Sequence, residues 1–318
     1  MTEISKSSVQ IDMRDAFFDQ FYETAKDNND IIFLSADHAA FSLEKFQKDF
    51  PERYINIGIS EQNMIGTAAG LALSGKVVFV YGITPFVSLR VLEQLTIDLA
   101  SMNLSVNIVS VGAGFTYSTD GPTHHGLQDL SAVCTIPNMT VLNSSDPFST
   151  KAFAKIAAAE PGPKYIRIEK GLLPNLTDEG SHDYSKGFVE LKKGNDLIIL
   201  STGRLAHEAI KASNVLEKEE GKSVGVIDLY RLKPLPEKDL ITLLRGGKRI
   251  ITLEEGYLDG GMGSMIGTLI AENKLNIPFL RMGLKNEFCF VYDSREAVLD
   301  KYGLTSSKIA KKISSWIR

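Results

Sequence analysis

Residues Tyr54–Gly75, YINIGISEQNMIGTAAGLALSG, join a short β-rich run to an Ala/Gly-rich helical pattern. A strand feeding directly into a helix is the repeating unit of parallel sheets with helices on their faces. One charged residue, Glu61, stands just after the β-rich run, at the mouth of the helix, in an otherwise apolar stretch. The helix dipole favours an acid in the first turn, and position alone requires no more than that. An apolar setting also disfavours a lone carboxylate, so a glutamate kept there could hold or share a proton with a partner near neutral pH.

The same alternation extends outward. Strands are predicted at Ile31–Ser35, Tyr54–Ile57, Val77–Tyr81, Val106–Val111 and Lys164–Ile168, with helices near Glu61–Leu73, Leu89–Met102 and Pro147–Ala158. This reads as a doubly wound α/β domain over residues 1–178. The stretch Pro174–Lys186, PNLTDEGSHDYSK, lacks hydrophobic periodicity and reads as a linker. A second, smaller α/β domain over residues 179–318 follows, with strands at Leu197–Ser201, Val224–Asp228 and Arg249–Leu253 and a helix at Ala206–Glu219. The expected fold class is therefore α/β, two doubly wound and mainly parallel sheets in tandem.

Composition agrees. The 318 residues are 43% hydrophobic and 23% charged with no biased tract, which excludes a disordered or fibrous chain. A formal charge of -4 gives no reason to expect nucleic acid or an anionic membrane as partner. The two cysteines, Cys134 and Cys289, lack metal-ligand spacing and read as small buried apolar residues. With no signal-peptide pattern and no apolar run of spanning length, the cytoplasm is the default location.

Two more segments change the weight of Glu61. Residues 81–100, YGITPFVSLRVLEQLTIDLA, supply an aromatic and an arginine, and residues 118–130, STDGPTHHGLQDL, supply an Asp and two His. Ligands of open α/β sheets sit outside the carboxyl ends of the strands, so Glu61, the Phe86 loop and the Asp120 loop, each following a predicted strand, can converge on one sheet edge. Together these segments resemble the transketolase family, from about Ala36 to Gly171 and more weakly to about Gly263. The first domain looks like the family's pyrimidine-binding domain and the second like its C-terminal domain.

The resemblance implies roles. Glu61, in a G-I-x-E-Q-type motif at Gly58–Gln62, would activate thiamine diphosphate by bonding a ring nitrogen of its aminopyrimidine. Phe86 would stack on that ring, with Tyr81 as a weaker second candidate, Arg90 preceding the family's acid and Gln at Glu93-Gln94, and Asp37, beside His38, near the cofactor. Asp120 and His124 of the D-G-P-T-H signature would contact the sugar, His124 with a catalytic role, while His125 stands where many relatives carry Gln. Arg167 and Lys170 fall where relatives bind a substrate phosphate, a task that suits the arginine fork. The residues also have ordinary readings: a core Phe, a surface Arg, a turn Asp, and a strand-end Arg167 paired with a nearby acid. Gly260-Gly261-Met262-Gly263, after Glu254-Glu255, fits neither a P-loop nor G-x-G-x-x-G and reads as a turn opening a helix.

The family holds its cofactor's diphosphate through Mg²⁺ with a Gly-Asp-Gly segment, and none occurs in these 318 residues. The chain resembles only the C-terminal half of a transketolase, with no room upstream of Met1 for the other half. A separate subunit is expected to carry the Mg²⁺ ligands, in an assembly of two copies of each chain. The implied activity is transfer of a two-carbon ketol unit from a ketose to an aldehyde. Two related readings stay open: the beta subunit of a thiamine-dependent 2-oxo-acid dehydrogenase, which has an HSQ-type segment in place of DGPTHHG, and a synthase of the deoxyxylulose-phosphate type. A non-catalytic protein that has kept the fold is a third.

Overall fold

The computed structural model describes residues 11–38 and 40–318. Its larger sheet has seven strands, ordered Arg231–Lys233, Thr140–Asn143, Lys164–Ile168, Val106–Val111, Val77–Ile83, Ile31–Ser35 and Tyr54–Asn56. All pair in parallel except the first, which runs antiparallel to Thr140–Asn143. Ile31–Ser35, Val106–Val111 and Lys164–Ile168 are buried along their whole length, as expected where helices cover both faces.

Alternation sorts their side chains. Ile32, Leu34, Val78, Val80, Val106 and Ile108 share one core with Met64, Ile65 and Leu95. Phe33, Phe79, Tyr81, Val109 and Val111 face the other way, onto Phe17, Phe18 and Phe21 of the helix Met13–Asp27 and Phe153 of the helix Pro147–Ala159. The helix Glu61–Leu73 buries Glu61, Met64, Ile65, Ala68 and Ala69, a spacing of three and four that places Glu61 on the sheet side.

The expected helix Leu89–Met102 is broken into a 3₁₀ turn at Leu89–Val91, one α-turn at Leu92–Gln94 and a π-turn at Leu95–Ala100. The hydroxyls of Thr96 and Ser101 bond the carbonyls four residues back, while the Ser101 amide reaches five back to Thr96. Hydroxyl competition of this kind loosens the α-helical ladder.

The smaller sheet is ordered Phe279–Leu284, Ile250–Tyr257, Leu197–Ser201, Val224–Leu229 and Phe188–Lys192, parallel except for the last strand. The helix Met262–Glu272 opens at the Gly260–Gly263 turn. The two sheets are stitched together, because Arg231–Lys233 leaves the second half of the chain to edge the first sheet. Part of the expected linker is also ordered: Tyr184 packs edge-on to Phe153 and its hydroxyl bonds Thr177. Cys289 is buried and Cys134 half-buried, both as free thiols. Among the described residues no helix is long and apolar enough to cross a membrane.

Candidate active site

In the larger sheet the chain steps outward from Ile31–Ser35 to Tyr54–Asn56, then returns to Val77–Ile83 on the opposite side. This reversal opens a crevice at the carboxyl ends of those strands. Glu61 follows one of them, Asp37 and His38 follow another, and Phe86 a third.

Glu61 is 3% exposed at the start of its helix. Its Oε2 accepts a 2.8 Å bond from Arg90 Nη1, so the expected apolar setting is relieved by a counter-charge. Its Oε1 is buried with no partner. Gln62 Nε2 donates to the Arg90 carbonyl at 3.3 Å, and the Arg90 guanidinium carbon lies 4.1 Å from the centre of the Phe86 ring. Phe86 meets the His124 ring edge-on at 5.2 Å, and His124 in turn lies 6.2 Å from the Tyr117 ring. Thr123 Oγ1 and His124 Nδ1 are 2.9 Å apart, which holds the imidazole. Lys170 Nζ sits 5.1 Å over the Tyr117 ring. Glu61, Arg90, Phe86, His124, Tyr117 and Lys170 thus form one contiguous row.

Asp37 adopts a positive φ of 59° at the same crevice and exchanges two bonds with the Asn56 amide, 3.2 Å from its N–H and 3.0 Å to its Oδ1. Burial lowers the pKa of the neighbouring His38; Glu61 and Asp37 pull it back up and His124 adds to the fall, so His38 lies in the field of both site residues. Asp120 is exposed at the end of the turn Ser118–Asp120, ahead of His124.

Other residues lie elsewhere. Tyr81 is 1% exposed in the aromatic core against Phe18, and burial raises its pKa. Arg167 is 3% exposed, with Nε 3.1 Å from Asp129 Oδ2 and Nη2 bonded to the carbonyls of Gly126 and Glu255. The acid-paired alternative therefore describes its surroundings, and its fork is directed inward. His125 is buried edge-on to Phe115, and burial lowers its pKa. Among the described residues no cluster of three or more His, Cys, Asp or Glu could hold a metal ion.

Residues 9–175 match the pyrimidine-binding domain of transketolase, and residues 187–309 match the transketolase C-terminal domain. The chain belongs to the transketolase family. It is 33% identical to a putative transketolase C-terminal section of Methanocaldococcus jannaschii, over 98% of each chain. It is 31% identical to an apulose-4-phosphate transketolase subunit of Phocaeicola vulgatus, over 96% of this chain and 97% of that one. A solved split-gene transketolase, described as an inactive β4 tetramer, superposes with a TM-score of 0.85 at 31% identity, over 96% of this chain and 97% of that one. These end-to-end matches place the chain as a transketolase-type transferase subunit, one part of a split enzyme.

The sequence offers His38 and Glu255 without a role for either, and does not single out Tyr117 or Arg295. Tyr117 lies three residues before Asp120, within reach of the motif; Arg295 is far from every motif and carries no local signal.

Proposed function

We propose that the chain is the pyrimidine-binding subunit of a two-chain, thiamine diphosphate-dependent transketolase moving a two-carbon ketol unit from a ketose to an aldehyde. Its two domains are residues 1–178 and 179–318. The observation that carries this reading is the Glu61 carboxylate, buried with Oε1 unpartnered and linked to Phe86 through Arg90. A buried acceptor left open costs stability unless a ligand fills it, and an aminopyrimidine offers both a ring nitrogen for the acid and a face for Phe86.

When bound, thiamine diphosphate supplies a nucleophilic carbon and an electron sink for breaking the carbon–carbon bond next to a ketose carbonyl. Glu61 would bond the pyrimidine nitrogen through Oε1, while Arg90 on Oε2 fixes the orientation of the carboxylate. Phe86 supports the ring, a contact worth about 0.5–1.5 kcal/mol beyond burial. Asp120 and His124 bind sugar oxygens, and exposed Lys170 attracts a substrate phosphate, a role that buried Arg167 does not fill from its observed position. Asp37 borders the site with its backbone strained, as residues at ligand clamps often are.

Mg²⁺ and the diphosphate are assigned to a partner subunit with a Gly-Asp-Gly segment, in a complex of two copies of each chain. The subunit-level relatives support that split. The D-G-P-T-H loop favours ketol transfer over 2-oxo-acid decarboxylation, because it offers sugar-binding groups beside Phe86. The test is to mix the chain with such a partner and measure ketol transfer from phosphorylated and free ketoses, with a 2-oxo acid as control. Turnover of the 2-oxo acid alone would refute the assignment.

A further inference from the structure

The smaller sheet has its own reversal, between Leu197–Ser201 and Ile250–Tyr257, at the edge where open α/β sheets take ligands. A segment of the first domain plugs it. Phe115 and Leu127 are buried in the core of the second domain with Ile199, Leu253 and Val298, and Phe115 stacks on Tyr302 at 5.7 Å. Glu255, at the end of the second-domain strand, accepts a 2.7 Å bond from the Phe115 N–H, and the Tyr257 N–H donates to the Leu127 carbonyl at 3.2 Å. The plugged segment carries Tyr117, Asp120 and His124 between its two anchors.

Arg295 sits at the centre of this junction, 10% exposed. Its Nε and Nη2 donate to both Glu255 oxygens at 3.0 and 2.6 Å, and its Nη1 and Nη2 to both Glu169 oxygens at 2.5 and 2.9 Å. The same guanidinium reaches the Thr116 hydroxyl at 3.0 Å and the Ala113 carbonyl at 3.2 Å. Thr116 also donates to Glu169 at 2.8 Å, and the Ser118 hydroxyl donates to the Asp293 carbonyl, two residues before Arg295, at 2.7 Å. Burial opposes the charge on Arg295, but the two carboxylates overrule it and raise its pKa. Directly or through Glu255 and Glu169, these links reach residues 113–118, the base of the loop that presents Asp120 and His124.

We infer that Arg295 is a positioning residue of the active site, holding residues 113–118 through Glu255 and Glu169 so that the loop carrying Asp120 sets His124 against Phe86. The second domain uses its crevice as a socket for the substrate loop. This rests on the proposed function for the roles of Asp120 and His124. The holding itself does not depend on that function.

The test uses the full chain with Arg295→Met and Arg295→Lys, plus a triple variant, Glu169→Gln, Arg295→Met and Glu255→Gln, which leaves no orphaned buried charge. Amide hydrogen exchange is read at residues 113–126 and, as an internal control, at the Glu61–Leu73 helix. Arg295→Met and the triple variant are expected to speed exchange at 113–126 by about tenfold or more with the helix unchanged, and Arg295→Lys to restore part of the protection. In the two-chain enzyme, kcat/KM for the ketose should fall by about 100-fold while thiamine diphosphate affinity stays within about twofold, since loop misplacement costs turnover and not cofactor binding. Equal acceleration in both segments, or unchanged exchange in a folded triple variant, overturns the inference. A wild-type complex with no ketol transfer refutes the functional reading alone, and the exchange result still decides the role of Arg295.

Discussion

Glu61 and Arg90 form a 2.8 Å ion pair in which the acid is 3% and the base 44% exposed, and in which only one carboxylate oxygen is used. The asymmetry is in the two oxygens: Oε2 is held by Arg90, and Oε1 has no protein partner. Glu61→Gln keeps the shape and removes the charge. Ketol transfer in the two-chain enzyme should drop by about 10²–10⁴-fold, the range for a lost acid–base group, with the thermal midpoint nearly unchanged. Activity within about twofold of wild type would show that the carboxylate is structural.

Arg90 and Arg167 are expected to differ in what their loss costs. Arg167 and Asp129 are both buried, at 3% and 1% side-chain exposure, so Arg167→Met strands a buried charge and should cost about 3–5 kcal/mol. Arg90→Met also strands a buried carboxylate, Glu61, but Arg90 is 44% exposed, so water can take its place and the cost should be smaller, about 1–3 kcal/mol. Denaturant unfolding at neutral pH checks the order, and a larger loss at Arg90 would reverse this reading of the two arginines.

Lys170 tests the nature of the substrate. It is exposed beside Tyr117, where a point charge would serve a phosphate without shaping the rest of the site. Lys170→Ala should raise KM by about tenfold for a phosphorylated ketose and leave a free ketose unaffected. Equal effects on both donors would remove Lys170 from phosphate recognition.

Glu254 gives a pH dependence. Burial pushes its carboxyl up from 4.5 to about 7, although the N–H groups of Gly263 and Met262 pull the other way. The folded chain therefore keeps this proton to about pH 7 while the unfolded chain releases it near 4.5. The associated stability is full below 4.5 and is lost as pH rises through about 7. That is of order 3 kcal/mol in total. Glu254→Gln should abolish this fall in unfolding free energy; parallel pH curves for the two proteins would contradict it.

Much of this was legible in the sequence because local pattern and final packing coincide. Val106–Val111, Lys164–Ile168 and the helix Glu61–Leu73 fall where apolar runs place them, since each is a buried repeat bounded by turn residues. Thr140–Asn143 and Arg231–Lys233 were not legible: each is short, and Arg231–Lys233 is made a strand only by pairing with Thr140–Asn143, some 90 positions away. The helix Met13–Asp27 is rich in Phe and Tyr, modest helix formers that are held by packing on the sheet. In the site, Glu61, Phe86 and His124 could be found because their segments resemble the transketolase family and each follows a strand at one edge; strand position alone leaves each an ordinary reading. Tyr81 and Arg167 could not be placed, because a strand pattern does not say that one ring points into the aromatic core or that one guanidinium turns toward Asp129. The Glu169, Glu255 and Arg295 cluster unites three remote segments and leaves no trace in any one of them.

The central claim is that this chain holds half of an active site. Calorimetric titration of thiamine diphosphate with Mg²⁺ into the chain alone, and then into its mixture with a Gly-Asp-Gly subunit, tests it most directly. Tight binding only in the mixture is the predicted result, whereas tight binding by the chain alone, or none in the mixture, would contradict it.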